Sequence, residues 1–337
     1  MPDFQTPHRP AKVTIAIPTL NRVAYLRLAL ESALAQTYPN IEVIVSNNAS
    51  TDATAIYLAS CTDRRLKVVQ QTSLLPMTEN WNACLTAATG EYFLLLSDDD
   101  LLEPDAIREL VAGYTGPDSV GEPGIVYCGG CIIDSTGDIR RPFKASPPRE
   151  AARDLILAFF AGNRDIWYCA VLLRTADVLP SFPATFNVAC DAAVWMRAVM
   201  RHGSAVFIPK PLVRYRIHPN LSAATQLDVW RAEYRQLLEL VIAESDRAGR
   251  PDPDFAWRFR SLMQQVDRYL IIGRINESFA HRKAKALLEY ARRLPAFLSP
   301  VGLALLAQGI ISLFLSERSR AWLRQKMRKR PASLQSE

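Results

Sequence analysis

Cysteine is too sparse to staple this chain. Six cysteines are spread over 337 residues without framework spacing, which excludes a disulfide scaffold and fits a reducing compartment. The one close pair, Cys128 and Cys131 in GIVYCGGCIID, has the spacing of a redox motif but lies in an apolar, strand-like run. A zinc site would need a second pair, and the sequence has none. Both read as buried structural thiols. Other absences are as informative. No G-x-G-x-x-G or G-x-x-x-x-G-K-[ST] follows the first apolar run, and H-E-x-x-H and G-x-S-x-G are missing, which excludes dinucleotide, P-loop, zincin and nucleophile-elbow chemistry. The opening MPDFQTPHRPAK has no apolar leader core, so a cytoplasmic location is expected.

What is present is ordinary globular composition, 49% hydrophobic and 22% charged, enough for a sizeable core. Charge is unevenly placed. Residues 1–225 carry 20 Lys and Arg against 22 Asp and Glu, while residues 226–337 carry 20 against 12. A basic tail on a near-neutral body points to an anionic surface partner and leaves the chemistry to the front.

Val13–Pro18, Ile41–Ser46, Leu66–Gln70 and Tyr92–Leu96 are short apolar or β-branched runs, separated by helical patterns at 24–35, 53–59 and 78–89. Alternation at this spacing predicts βαβ units and an α/β fold with a mostly parallel sheet. Ser50-Thr51-Asp52 is the expected cap of the second helix, Gly90 closes the third as its C-cap, and a fourth helix is expected over 101–110 with Pro104 near its start. Further on, the pattern predicts a strand over 124–133, a helix over 149–161, a strand in WYCAVLLR, a helix in DAAVWMRAVMRHG, and an extended segment over 205–215. Long amphipathic helices are then expected from Leu227 to about 243 and from Phe255 to about 294. The domain boundary is placed at residue 225, with a 1–225 domain and a helical 226–337 region.

Ser97-Asp98-Asp99-Asp100 ends the strand YFLLL. Ligands of parallel α/β sheets bind at the carboxyl ends of strands, and hard oxygen ligands there suit Mg²⁺ or Mn²⁺ with open positions for phosphate. The simpler alternative is capping of the next helix, but a cap needs one acid and not three.

The segments VTIAIPTLNR, EVIVSNNASTD and ENWNACLTAATGEYFLLLSDDDLLEPDAI resemble the nucleotide-sugar domain of family 2 glycosyltransferases of the GT-A fold, of the bacterial surface-polysaccharide type. The resemblance covers about the first 110 residues well and the middle more loosely. It implies an inverting, metal-dependent transfer of one sugar from a UDP-, dTDP- or CDP-linked donor to a glycan or lipid-linked acceptor. In the family a strand-end motif of DxD type carries the metal. The implied ligand is Asp99, with Asp100 a second candidate, Asp98 nearer the ribose, and Ser97 where the family has its first Asp. The nucleotide pocket implied by the resemblance comprises Pro18, Thr19, Asn21, Asn47, Asn48 and Asn82. Asn47 and Asn48 stand where the family has two acids, and an amide both donates to and accepts from a base edge; the alternative for them is a polar turn.

Asp191 in ACDAAVWMRAVMRHG resembles the acidic motif whose Asp is the general base of inverting members. Cys190 replaces its usual Glu. The alternative is an N-cap. His218 in VRYRIHPNLSA resembles the C-terminal histidine that completes the metal site, and Arg214 and Arg216 face either phosphate or solvent. The runner-up functions are a sugar nucleotidyltransferase, for which PTLNRVAYL lacks a triphosphate clamp, and a catalytically inactive GT-A scaffold. The Q-x-x-R-W element of processive synthases is absent.

Leu294–Ser316 contains no charged residue, and seven cations follow from Arg318 to Arg330. About 20 apolar residues span a bilayer, but Pro300, Gly302, Gln308 and Gly309 interrupt the run. The expected form is an amphipathic helix over 295–330 lying on the inner face of the cell membrane, against the alternatives of a span and an ordinary packed helix. No nucleic-acid reading motif accompanies the basic charge, so nucleic acid is not an expected partner.

Overall fold

The computed structural model describes residues 10–116, 121–186, 188–218, 227–278, 283–298 and 300–312. The front half alternates as its hydrophobic pattern predicts: β1 (Val13–Thr19), α1 (Val23–Leu34), β2 (Ile41–Asn47), α2 (Thr54–Ser60), β3 (Leu66–Gln70), α3 (Met77–Ala87) and β4 (Tyr92–Leu95). There follow β5 (Leu101–Leu102), α4 (Ala106–Thr115), β6 (Ile125–Ile133), β7 (Ile139–Pro142), β8 (Arg149–Ala151), α5 (Ala152–Phe160), β9 (Val171–Arg174), α6 (Thr175–Val178), α7 (Cys190–His202) and β10 (Ser204–Arg216). Helices close the chain: α8 (Leu227–Arg247), α9 (Pro253–Ser278), α10 (Lys283–Arg292) and α11 (Pro300–Ser312).

The ten strands form one sheet with the path β3-β2-β1-β4-β9-β6-β10-β5, β7 lying on β6 and β8 on β10. Strands β3, β2, β1 and β4 are mutually parallel, as are β6 and β10, while β9 runs antiparallel between β4 and β6. The sheet is therefore mostly parallel. The central strands are apolar at nearly every position because both faces are covered. Ile15, Ile17, Val43, Val45 and Leu94 face a core shared with α1 and α4, and Ala16, Ile44, Phe93 and Leu95 face one shared with α3, α5 and α7.

Several local expectations need correction, among them the cap of α2, which is Ala53 without a side-chain cap bond and not Ser50-Thr51-Asp52, and the helix expected over 255–294, which is divided into α9 and α10. Asp98–Asp100 cap no helix: the chain continues into β5, antiparallel to β10, and α4 begins only at Ala106. Gly90 is not the C-cap of α3, which ends at Ala87 with Ala88 as its cap. Glycine is required at 90 because a Cβ there would lie 2.6 Å from the Thr14 backbone nitrogen. The helix expected from Arg149 starts at Ala152, since residues 149–151 pair with β10.

Cys128-Gly129-Gly130-Cys131 lies inside β6, and all six cysteines are free. A Cβ at Gly130 would stand 2.4 Å from the Val213 carbonyl oxygen and one at Gly129 2.9 Å from that of Lys210. The glycine pair thus accommodates β10 where its register slips around Pro211.

The composition change at residue 225 does not coincide with a break in the core. Leu237 and Val241 of α8 and Phe255, Phe259 and Met263 of α9 are buried in the same cluster as Trp195 and Phe160. A smaller core, Ile271, Tyr290, Phe297 and Leu306, joins α9, α10 and α11. Among the described residues no helix is long and apolar enough to cross a membrane. The basic run Arg318–Arg330 lies outside the described residues.

Candidate active site

The ends of β1, β4 and β10 bring distant residues together, as parallel topology requires. Thr19, the last residue of β1, donates from Oγ1 to Asp98 Oδ2 at 2.7 Å. Two residues into the next loop, Asn21 adopts φ 53°, a left-handed conformation that asparagine tolerates. Its Oδ1 accepts the Thr51 N–H at 2.7 Å. This turn sends Arg22 back over the acids, where Nη1 lies 3.2 Å from Asp98 Oδ1 and 2.9 Å from Asp99 Oδ2.

Asp99 Oδ2 has a second neighbour, His218 Nε2 at 2.8 Å. His218 is steadied by the edge of Tyr25, with ring centroids 5.3 Å apart, and Tyr25 in turn lies under the Arg216 guanidinium at 5.0 Å. Arg216 is a buried clasp and no phosphate ligand: its Nε donates to the Asp99 carbonyl and its backbone N–H to Asp100 Oδ1, both at 2.8 Å. Arg214 is likewise engaged, with Glu103 at 2.7 Å.

The three acids differ in environment. Burial pushes the Asp98 carboxyl up to about 6, against the pull of the Thr19 hydroxyl and Arg22. Burial and then the neighbouring Asp99 charge push Asp100 up to about 8. Asp100 is 1% exposed, and its Oδ2 has no hydrogen-bond partner among the described residues. Its Oδ1, by accepting the Arg216 N–H, fastens β10 to the strand-end turn.

Among the described residues no group of three or more His, Cys, Asp or Glu could hold a metal ion. The protein offers a pair, Asp99 and His218, one carboxylate oxygen and one imidazole nitrogen aimed at each other. That donor set fits a divalent cation whose other positions belong to water and substrate phosphate, with imidazole favouring Mn²⁺ over Mg²⁺.

Asp191 opens α7, with Oδ1 accepting the Ala192 N–H at 2.7 Å. Burial pushes its carboxyl up to about 6, a value suited to a base at neutral pH. Burial, and after it the charges of Asp100, Asp99 and Asp191, push the Tyr215 hydroxyl above its ordinary value. Trp167 stacks on Tyr215 at 4.0 Å, and Trp81 on Tyr168 at 6.4 Å.

The expected nucleotide residues divide. Pro18 and Thr19 end β1 beside the acids. Asn47 and Asn48 end β2, but their amides hold loops: Asn47 Nδ2 donates to Gln70 Oε1 at 2.8 Å, and Asn48 exchanges two hydrogen bonds with the Leu75 backbone at 2.8 and 3.0 Å. Asn82 does the same across 100 residues, gripping the Phe182 N–H at 2.8 Å and carbonyl at 3.0 Å. These amides are engaged with protein. Arg22, Tyr215 and Trp167 were not singled out by sequence reasoning. Arg22 carried a signal, as a lone cation directly after P-x-x-N; the aromatic pair carried none.

Residues 14–165 match the family described as Glycosyl transferase family 2. The chain is 29% identical over 219 residues to an uncharacterised glycosyltransferase of Rickettsia typhi, covering 64% of this chain and 67% of that one. It is 27% identical over 254 residues to the GalNAc(5)-diNAcBac-PP-undecaprenol beta-1,3-glucosyltransferase of Campylobacter jejuni, covering 72% and 78%. In fold it is similar to S. aureus TarS 1-349 in complex with UDP-GlcNAc, with a TM-score of 0.56 at 17% identity over 94% of this chain and 92% of that one. It is also similar to the mannosyltransferase PcManGT of Pyrobaculum calidifontis in complex with GDP-Man and Mn²⁺, with a TM-score of 0.55 at 21% identity over 96% and 85%. The strand-end acids thus lie within the stretch that matches the family 2 glycosyltransferase model, and the chain is a glycosyltransferase of the GT-A fold.

Proposed function

We propose that this enzyme transfers a single sugar, with inversion, from a UDP-, dTDP- or CDP-linked donor to a glycan or lipid-linked acceptor in surface polysaccharide assembly. The observation that carries the reading is the convergence of Asp99, Arg22 and His218 at the strand ends.

Asp99 and His218 would hold the divalent cation, which when bound neutralises charge on the departing diphosphate. Arg22, paired with Asp98 and Asp99, would turn to the donor phosphates when Asp99 holds a cation. Asp98 orients Thr19 at the ribose end, and Asn21, Asn47, Asn48 and Asn82 hold the loops that wall the nucleotide pocket. Asp191 takes the proton of the acceptor hydroxyl. The freed oxygen attacks the anomeric carbon from the face opposite the nucleotide, and the bond from that carbon to the diphosphate oxygen breaks. Water would compete as acceptor, and the Trp167–Tyr215 and Trp81–Tyr168 stacks form apolar walls against it.

A lipid-linked acceptor is supported by the undecaprenol-linked acceptor in the name of the Campylobacter relative, and by the basic excess of residues 226–337. The enzyme would then work peripherally on the inner membrane face. Thermal-shift titration with UDP, dTDP, CDP and GDP, each with Mn²⁺, tests the reading. A pyrimidine diphosphate should raise Tm only with metal, and its triphosphate should do no better. A larger response to triphosphates would favour the nucleotidyltransferase, and no response to any nucleotide would favour the inactive scaffold.

A further inference from the structure

We infer that Glu233 on α8 is a positioning residue for Asp191, holding from the helical region the backbone that presents the base. The inference rests on Asp191 being that base.

A helix start leaves backbone N–H groups without partners, and α7 begins badly in this respect. Its N-cap is Ala189, which has no side chain to accept from them, and no side-chain cap is formed. Glu233 reaches in from another helix instead. Its Oε2 accepts the N–H groups of Val188 and Ala189, each at 2.9 Å, and the side chain is 2% exposed. One buried oxygen thus holds the N–H groups of the two residues directly before Cys190. Position 190 holds a buried cysteine where the resembled motif has a carboxylate, and Glu233 brings a carboxylate to the same helix head from elsewhere in the chain.

The contact also explains why the helical region shares the core. Leu237 and Val241, farther along α8, are fully buried against the α7 layer, and Tyr234 meets Phe160 at 5.4 Å. Packing of α8 sets where Glu233 ends, and Glu233 sets where α7 begins.

Among the described residues, the titratable groups that act on Asp191 are Tyr168, Cys190, Tyr215, Glu233 and Tyr234. Burial pushes the three phenols and the thiol above their ordinary values, while Glu233 opposes the ionisation of Asp191. Its removal lets Asp191 ionise at lower pH, whereas a purely packing role would leave that titration where it was.

The test is a ¹³C-carboxyl NMR titration of the full-length protein labelled at aspartate, with Asp191→Asn identifying the Asp191 signal. In Glu233→Gln, which keeps an acceptor oxygen but no charge, the Asp191 midpoint should move to lower pH and the Val188 and Ala189 amide resonances should shift. An unchanged midpoint with unchanged amides overturns the inference. Should the glutamine variant fail to fold, Glu233→Asp keeps the charge on a shorter arm. Faster hydrogen exchange at Val188 and Ala189 then supports the contact, and parental exchange rejects it. Failure of the underlying reading has a different signature: Asp191→Asn would turn over nucleotide sugar like the parent while the Glu233-dependent shift persisted.

Discussion

His218 Nε2 stands 2.8 Å from Asp99 Oδ2, although the two residues are 119 positions apart in the chain. The antiparallel pairing of β10 with β5 brings them together, because Val213 and Arg214 register against Leu102 and Leu101 just beyond the acids. If this pair holds the cation, Asp99→Ala should abolish the Mn²⁺-dependent part of nucleoside diphosphate binding, and His218→Ala should weaken it by roughly 10–100-fold. Stability should change little, since the Arg22–Asp99 pair is half exposed on the arginine side and such pairs are worth about 0–1 kcal/mol. Calorimetric titration with UDP, with and without Mn²⁺, measures both. Metal-dependent binding that survives Asp99→Ala contradicts the assignment.

If Asp99 holds the cation, Arg22 competes with it for that carboxylate. Arg22→Gln should therefore bind Mn²⁺ more tightly than the parent when no nucleotide is present, while losing affinity for the nucleoside diphosphate. Free Mn²⁺ measured by electron paramagnetic resonance reads the first effect. Weaker Mn²⁺ binding in the variant would show that Arg22 does not occupy the cation's place.

Asp100 makes a prediction about stability and pH. Its carboxyl is raised from 3.8 to about 8 by burial and by Asp99, so over that interval the folded state holds a proton that the unfolded state has released. Its contribution is complete below the unfolded value and is lost as pH rises toward the folded value, at up to about 1.4 kcal/mol per pH unit for a fully separated group. Asp100→Asn removes this slope. The variant should gain in Tm relative to the parent as pH goes from 5 to 8. Parallel Tm curves over that range would mean that Asp100 ionises in the fold.

Truncation separates the two parts of the helical region. Removing residues 226–337 strips Leu237, Val241, Phe255 and Phe259 from the main core and should leave a chain that does not fold cooperatively, since each large apolar loss costs about 2–5 kcal/mol. Removing residues 295–337 takes away only part of the small cluster around Tyr290. The protein should keep nucleotide binding and lose binding to anionic phospholipid vesicles, which salt should weaken in the intact chain. Vesicle binding unchanged by the second truncation would contradict the surface role given to this segment.

The sheet was legible because β1, β2 and β4 are buried on both faces and read as unbroken apolar runs. The strand-end acids were legible because three consecutive carboxylates have few structural uses. The start of α4 was not: Leu101–Leu102 looks like a helix's first turn until β10 is there to pair with it. The jobs of Asn48 and Asn82 were hidden for a similar reason, since Leu75 and Phe182 are backbone partners that no local pattern specifies. Arg216 looked like an exposed strand cation because its burial depends on Asp99, Asp134 and Tyr25 closing around it. Glu233 left no local trace at all, as it lies far in sequence from Val188 and Ala189, whose N–H groups it accepts.

The central claim is a single displacement at the anomeric carbon with Asp191 taking the acceptor proton. Proton NMR of the transfer product, recorded before it can equilibrate, tests this most directly. From an α-linked nucleotide sugar the enzyme should give only the β-linked product, and a product that retains the α configuration would contradict the mechanism.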